Sequence, residues 1–158
     1  MEIIVHIEKI QRMAKRREKL DPEEDFELWM WMGMTIATHA VNAALHQAGL
    51  TKSGNYYSYH VVGLYVVPPR SKEGWRKEAL PLGDVVHVDL PPVPGLLPES
   101  IRHAFNALKV LEDMRDPYIR RAEPVTPQLI DRCQAAYLTC LRESVGLLPD
   151  LRGGLDGD

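Results

Sequence analysis

Residues 28–51 contain no Asp, Glu, Lys or Arg. An uncharged stretch of this length is about as long as a membrane-spanning helix. It nevertheless holds two His, an Asn, a Gln and three Thr, and polar side chains of this kind are rare inside a bilayer. We therefore expect a helix buried inside a globular protein, and we expect no membrane partner.

Cysteine is also scarce, because the chain has only Cys133 and Cys140. On a helix their separation is a rise of about 10.5 Å, which is beyond the reach of a disulfide. We expect two unbridged thiols on the core face of a helix, which suits the reducing cytosol. The N-terminal sequence MEIIVHIEKI contains both acid and base and does not resemble a signal peptide. The sequence thus predicts a cytoplasmic protein.

Local motifs for catalysis and cofactor binding are missing as well. The chain contains no GxSxG nucleophile motif, no Walker loop, no GxGxxG and neither of the metal motifs HExxH and ExxH. The net charge of -3 gives no reason to expect binding to nucleic acid or to an anionic membrane. We therefore predict no cofactor and no metal, and we do not expect nucleic acid as a partner.

Five polar residues share one face of the uncharged segment. At about 100° per residue, their spacing places them in a sector about 100° wide on a helix. These residues, called the polar stripe below, are Thr35, Thr38, His39, Asn42 and His46. The opposite face carries small residues that let another helix approach closely, namely Gly33, Ala37, Ala40, Ala44 and Ala48. The segment is therefore predicted to be enclosed on both sides.

Buried polar groups need hydrogen-bond partners, so the polar stripe has two interpretations. In one, it lines a site for a small polar ligand, with imidazoles as donors or bases. In the other, it is a set of satisfied buried side chains, which includes a seam between two copies of the chain. His39 and His46 lie two helical turns apart, whereas ligands to one ion on one helix favour a separation of three or four residues. This spacing argues against a metal held by these two residues.

Apolar residues at helical spacing predict four helices, over residues 3–19, 22–48, 99–116 and from Thr126–Pro127 onward. Four amphipathic helices bury their apolar faces most simply as a bundle. Between the second and third helices, two β-rich runs predict a hairpin that packs on the helices, namely residues 61–67 and 84–90. We predict a mainly α fold, a four-helix bundle with an inserted β-hairpin within about residues 50–97. It forms a single domain over residues 1–150 with a frayed tail at 151–158.

The second helix has the clearest end signals. Asp21 is predicted to cap it, with Pro22 at the first helical position and Glu24 closing a capping box. Gly49 suits the position that follows the last turn. The basic run at residues 15–19 is predicted to be the solvated end of the first helix, where cations interact favourably with the helix dipole.

The segment Thr38-His39-Ala40-Val41-Asn42-Ala43-Ala44-Leu45 and the pair Arg115-Asp116 resemble parts of the HEPN superfamily. This superfamily comprises small helical bundles, with nucleotide-binding and RNA-cleaving members. The segment is similar to the family's second helix, and Arg115-Asp116 lies where an Arg-polar-x4–6-His motif begins. Residues 117–123 contain no His, so the motif's second catalytic residue is missing. The resemblance implies the fold and dimerisation more than nuclease activity.

Two classes of function therefore stay open. In the first, the protein is a binding or interaction module, a homodimer whose polar stripe serves a small-molecule ligand or a partner protein. In the second, it is an enzyme of HEPN-like nuclease or hydrolase type with His39 or His46 as a base. No acidic residue that would orient either imidazole lies near it in the sequence, which favours the first class.

Overall fold

The computed structural model describes residues 1–51, 53, 84, 96–121 and 123–145, and the backbone of residues 64–67 and 76–79. This part of the chain is mainly helical, as predicted, with four α-helices. These are α1 (Ile3–Arg17), α2 (Phe26–Gln47), α3 (Glu99–Arg115) and α4 (Pro127–Val145). Because α2 packs against α1, α3 and α4, it is the central element of the fold.

The position of α2 follows from its composition. Its uncharged residues are apolar around most of the helix, so it is buried on nearly all sides. The small residues Ala37, Ala40 and Ala44 are fully buried, which lets neighbouring helices approach its backbone. Ile36 and Leu45 fill the space between them and are also fully buried. Each of these two large side chains stabilises the fold by about 1.5–3 kcal/mol relative to an exposed position.

The start of α2 differs from the prediction. Asp21 Oδ1 does accept hydrogen bonds from the amides of Glu23 and Glu24, at 2.8 and 3.2 Å. Those amides belong to a separate turn, however, and the regular helix begins at Phe26. The carboxylate that reaches back to the Asp21 amide is that of Asp25, at 3.1 Å, and not that of Glu24. Asp21 therefore caps the turn that leads into the helix.

Two other end signals are confirmed. Gly49 has a φ of 69°, a conformation that only glycine adopts readily. The amides of Gly49 and Leu50 donate to the carbonyls of His46 and Leu45, both at 3.0 Å, which is the hydrogen-bond pattern of a Schellman motif. At the start of α4, the amide of Leu129 donates to Thr126 Oγ1 at 3.2 Å, so Thr126 is an N-cap.

The third helix is predicted over residues 99–116, but the helical backbone continues beyond Pro117. The α-helical part of α3 ends at Arg115, but the backbone continues through a π-helical turn over Asp116–Arg120. In this turn the amide of Arg121 donates to the carbonyl of Asp116 at 3.1 Å, a five-residue spacing. Such turns occur often at functional sites. Here the turn extends the line of α3 and carries Arg120.

One basic residue at the end of α1 is buried, although the sequence predicts a solvated basic run there. The guanidinium carbon of Arg17 lies 3.9 Å from the ring centre of Trp29 and 4.1 Å from that of Tyr137. Arg17 Nε also donates to the carbonyl of Trp29 at 3.1 Å. A Cβ at Gly33 would lie only 3.0 Å from Nε, so a glycine gives the guanidinium its space. We call Arg17, Trp29 and Tyr137 the aromatic clamp.

Cys133 and Cys140 are unbridged and buried on α4, as predicted. Cys133 Sγ lies 3.2 Å from Met114 Sδ, and Cys140 Sγ donates to the carbonyl of Ala37 at 3.7 Å. Burial raises the pKa of the Cys133 thiol to about 11, although the charge of Arg17 opposes the shift. Burial likewise raises the pKa of the Cys140 thiol to about 12. Both thiols therefore belong to the core.

Two short strands, β1 (Leu64–Val67) and β2 (Arg76–Ala79), pair in antiparallel fashion. Leu64 faces Ala79 and Val67 faces Arg76 in the register. The partner of β1 thus comes from the segment that the sequence predicts to be a connection. The second strand is predicted over residues 84–90, and Asp84 lies in a bend. Residues 85–90 and the predicted frayed tail at 151–158 are outside the described residues, so the rest of this strand and the tail stay predictions.

Candidate functional site

A cleft of about 620 Å³ lies between α1, α2, the end of α3 and the π-helical turn. Four of the five polar-stripe residues line it, namely Thr35, Thr38, His39 and Asn42. His46 is buried behind them at 7% exposure. The structure therefore brings most of the polar stripe to one concave surface of a size that suits a small ligand.

The polar stripe is only partly buried within a single copy of the chain. Thr35, Thr38 and His39 are half-buried, whereas Asn42 is 2% exposed, so the predicted burial of Asn42 is confirmed. The hydroxyl of Thr35 donates to the carbonyl of Trp31 at 2.8 Å. His39 thus lies in the cleft wall, whereas His46, further along the same helix face, is buried.

Three imidazoles and one carboxylate meet at the inner end of the cleft, and we call His6, His39, His46 and Asp84 the histidine cluster. Asp84 Oδ1 lies 2.9 Å from His46 Nε2 and 3.2 Å from His6 Nε2. The N-terminal ammonium of Met1 donates to the same oxygen at 2.8 Å. Asp84 therefore joins α1 to α2. It supplies the acid that His46 lacks nearby in the sequence, and it reaches His39 through His6.

The second nitrogen of each inner imidazole also has a partner. His46 Nδ1 lies 2.6 Å from the Thr51 hydroxyl, and His6 Nδ1 lies 3.0 Å from His39 Nδ1. With Asp84 ionised, Nε2–H of both His6 and His46 donates to the carboxylate, which leaves each Nδ1 as an acceptor. Thr51 and His39 are then the donors. A chain of hydrogen bonds thus runs from Asp84 through His6 to His39 at the cleft surface.

The charge state of Asp84 follows from this arrangement. Burial alone would raise the pKa of its carboxyl group, but hydrogen bonds from His46, His6 and the N-terminal ammonium more than offset it. They hold the pKa of Asp84 well below its usual range. The carboxylate is therefore ionised and orients two imidazoles at neutral pH.

Cations line the outer part of the cleft. Lys9 comes from α1, Arg115 from the end of α3 and Arg120 from the π-helical turn. The Arg115 side chain is 14% exposed and pairs with Glu112 at 3.0 Å. The Arg120 side chain is 61% exposed and pairs with Asp116 at 3.1 Å. Of the described residues that line the cleft, more are positively than negatively charged.

The motif pair Arg115-Asp116 is divided between two roles. Arg115 lines the cleft, whereas Asp116 is not one of the described lining residues. Asp116 Oδ1 lies 3.7 Å from Arg115 Nε and makes its shorter ion pair with Arg120. Neither contact has hydrogen-bond geometry, so Asp116 holds Arg120 by charge alone.

Four residues of the site were not predicted from the sequence, namely His6, Asp84, Lys9 and Arg120. One signal for His6 was present, because it lies three residues after Ile3 and four before Ile10 and so shares their apolar helix face. A polar residue on a core face needs a buried partner. The partner, Asp84, is 78 residues away, and no local pattern distinguishes it.

No protein-family model matches the chain, and neither the curated proteins nor the solved structures contain a match. The HEPN resemblance therefore stays a prediction. In the part of the chain that the structure describes, no helix combines the length and the apolarity needed to cross a bilayer.

Proposed function

We propose that the protein is a binding module whose cleft takes a small ligand with an anionic group, such as a mononucleotide. The observation that carries this proposal is the convergence of Lys9, Arg115 and Arg120 on the cleft that the polar stripe lines. These three basic side chains outnumber the two carboxylates of the described lining, Asp84 and Glu112, whereas the whole chain has a net charge of -3. Guanidinium groups are especially suited to phosphate, because their planar fork donates two parallel hydrogen bonds.

The cleft also has room and surface for an uncharged part of the ligand. Its volume of about 620 Å³ falls in the range of small-molecule sites. Trp31 and Met34 contribute apolar lining, and Trp31 is 42% exposed. An exposed indole offers a face on which a planar ring such as a nucleobase stacks. A ligand with a planar ring and a phosphate therefore uses both parts of the cleft.

Calorimetric titration of AMP, adenosine and inorganic phosphate tests this proposal. We expect AMP to bind more tightly than either of its parts. Arg120→Ala should weaken AMP binding about tenfold or more, because a charge-assisted hydrogen bond contributes roughly 1.5–3 kcal/mol. Arg120 is largely exposed and lies at the protein surface, so its removal leaves the core intact.

Arg102→Ala is the matched control for Arg120→Ala. The Arg102 and Arg120 side chains are both 61% exposed and each pairs with one acidic residue in the preceding turn, but Arg102 does not line the cleft. We expect Arg102→Ala to bind AMP like the wild type. Equal affinities of the wild type and Arg120→Ala, or no AMP binding at all, would contradict the proposal.

A second candidate function is hydrolysis of a bound phosphoester with His39 as a general base. The observation in its favour is the chain from Asp84 through His6 to His39, with steps of 3.2 and 3.0 Å. A carboxylate that orients an imidazole is the arrangement on which general-base catalysis commonly depends. Efficient RNA cleavage is not expected, because residues 117–123 contain no His.

Hydrolysis of bis(4-nitrophenyl) phosphate separates this enzyme from a pure binding module. If His39 is a base, His39→Ala should lower the rate by roughly 10²–10⁴-fold. His103→Ala, which removes a half-exposed His on α3, should leave the rate unchanged. A rate no higher than the uncatalysed one, or equal rates in the two variants, would favour the binding module.

The resemblance to the HEPN superfamily and the homodimer belong to the same proposal. The position of Arg115 in the cleft supports the resemblance, because this residue aligns with the motif arginine. Burial of Asn42 and His46 within one copy removes the need for a dimer seam along the polar stripe. A dimer would then use the half-buried outer part of the stripe or another surface, and sedimentation equilibrium of the full chain tests whether one exists.

A further inference from the structure

We infer that His6, His46 and Asp84 form a binding site for a divalent transition-metal ion such as Zn²⁺. The three residues come from α1, α2 and the segment that precedes α3. They are too far apart in the sequence for a local motif to predict the site. Their donor atoms all lie within 4.8 Å of one another. The site goes beyond the proposed anion binding and does not depend on it.

The distances suit a small ion between the three donors. His46 Nε2 and His6 Nε2 lie 2.9 and 3.2 Å from Asp84 Oδ1. In a tetrahedral zinc site with metal–ligand distances of about 2.0–2.1 Å, neighbouring ligand atoms are about 3.3 Å apart. The two carboxylate–imidazole distances are within a few tenths of an ångström of this spacing. All three donor atoms lie within 4.8 Å of one another, so the two imidazole nitrogens have to approach each other by at most about 1.5 Å to complete a coordination sphere. Two imidazoles and one carboxylate are a ligand set that Zn²⁺ commonly takes.

The outer partners of the two imidazoles also fit a metal site. Ligating histidines almost always have their other ring nitrogen held by a hydrogen bond. Here Thr51 Oγ1 lies 2.6 Å from His46 Nδ1, and His39 Nδ1 lies 3.0 Å from His6 Nδ1. A hydroxyl and an imidazole can each either donate or accept. The same outer contacts can therefore persist when the metal replaces the Nε2 protons and each Nδ1–H becomes a donor.

The spacing that argues against a metal on His39 and His46 does not apply to this set. Only His46 comes from α2, and His39 acts through His6 and not as a ligand. The N-terminal ammonium, 2.8 Å from Asp84 Oδ1, competes for the same carboxylate and has to give up this contact. Because Asp84 also lines the cleft, an open coordination position beside it would be accessible to a bound ligand.

Metal titration of the full chain after removal of bound ions with a chelator tests the site. We expect a single tight site for Zn²⁺, a visible absorption band with Co²⁺ and no comparable binding of Mg²⁺, which prefers oxygen ligands. His46→Asn and Asp84→Asn should each weaken Zn²⁺ binding by more than about 10–100-fold, the range for the loss of an outer-shell partner alone. Thr51→Val should weaken it within that range.

His103→Asn is the matched control, because it removes a histidine on α3 outside the cluster and should bind Zn²⁺ like the wild type. Absence of Zn²⁺ binding, or wild-type affinity in His46→Asn, would overturn the inference. If circular dichroism shows that His46→Asn does not fold, the Zn²⁺ affinity of Thr51→Val is the deciding measurement. Wild-type Zn²⁺ affinity in Thr51→Val would overturn the inference as well. None of these readouts depends on AMP binding, so the site and the proposed function can fail separately.

Discussion

The aromatic clamp and the histidine cluster both hold α1 against α2, but they differ in what surrounds their polar groups. The guanidinium of Arg17 in the clamp contacts two aromatic rings and donates to a backbone carbonyl. In the histidine cluster, His39 and Asp84 line a cleft. The clamp therefore uses its charge to hold α1 against both α2 and α4, whereas the cluster presents polar groups to a volume that can hold a ligand.

The aromatic clamp depends on a glycine for its space, whereas the histidine cluster is held by side-chain hydrogen bonds. Gly33 makes room for Arg17, because a Cβ would lie 3.0 Å from Arg17 Nε. At the cluster, the side chains of Thr51 and His39 provide the fit through hydrogen bonds. The close packing around Arg17 indicates a structural role for the clamp. The hydrogen-bonded side chains beside the cleft make the histidine cluster the candidate functional site.

Removal of the clamp should have the largest effect on stability. Arg17→Ala deletes a desolvated cation that contacts two rings and removes the side-chain donor to the Trp29 carbonyl. We expect a loss of roughly 2–4 kcal/mol in the free energy of unfolding, measured by urea denaturation. Arg16→Ala changes an exposed neighbour and should stay within about 0.5 kcal/mol of the wild type. Equal stability of the two variants would mean that the clamp is not structural.

Asn42 combines the burial of the clamp with the position of the histidine cluster, since it lines the cleft yet is only 2% exposed. Asn42→Leu should lower the free energy of unfolding by about 1–3 kcal/mol, because a buried hydrogen-bond partner is left unsatisfied. Thr35→Val is the control, since the Thr35 hydroxyl bonds within its own helix and its loss strands no distant group. Unchanged stability of Asn42→Leu in a thermal melt would show that this part of the stripe is solvated cleft wall.

The thiols should show the smallest response of all. Burial raises the pKa of Cys133 from 9.0 to about 11, so at pH 8 its thiolate fraction falls by about 100-fold, and the thiolate is the reactive form. We expect both thiols to react with a disulfide reagent only on the timescale of unfolding. Rapid labelling of either thiol in the native protein would show that α4 opens locally.

The histidine cluster also shows what sequence reasoning can find. The polar stripe was predictable, because helical spacing places its members on one face without knowledge of any other element. Lys9, Arg115 and Arg120 reach the same cleft from α1, α3 and the π-helical turn, and only tertiary packing brings them together. Asp84 lies in a segment predicted to be a strand, with nothing local to distinguish it from a surface acid.

Arg17 is a residue whose sequence-based prediction was wrong, because it is buried and not solvated. A basic run at a helix end indicates a solvated patch, and the exposed Lys15, Arg16 and Lys19 fit that interpretation. Burial of Arg17 depends on Trp29 and Tyr137 from two other helices. The helices themselves were predictable because periodicity and capping are local properties, whereas the choice of which polar side chains become buried is not.

The most direct test of the account is a titration of the protein with AMP, followed by NMR of its ¹³C-labelled imidazole rings. His39 lies in the cleft wall, and its signals should shift in proportion to the occupancy. His103 lies outside the cleft and pairs weakly with Glu99 and Glu143 on the surface of α3 and α4, so its signals should not move. Unmoved His39 signals at saturating AMP, or shifts confined to His103, would contradict a ligand-binding role for this cleft.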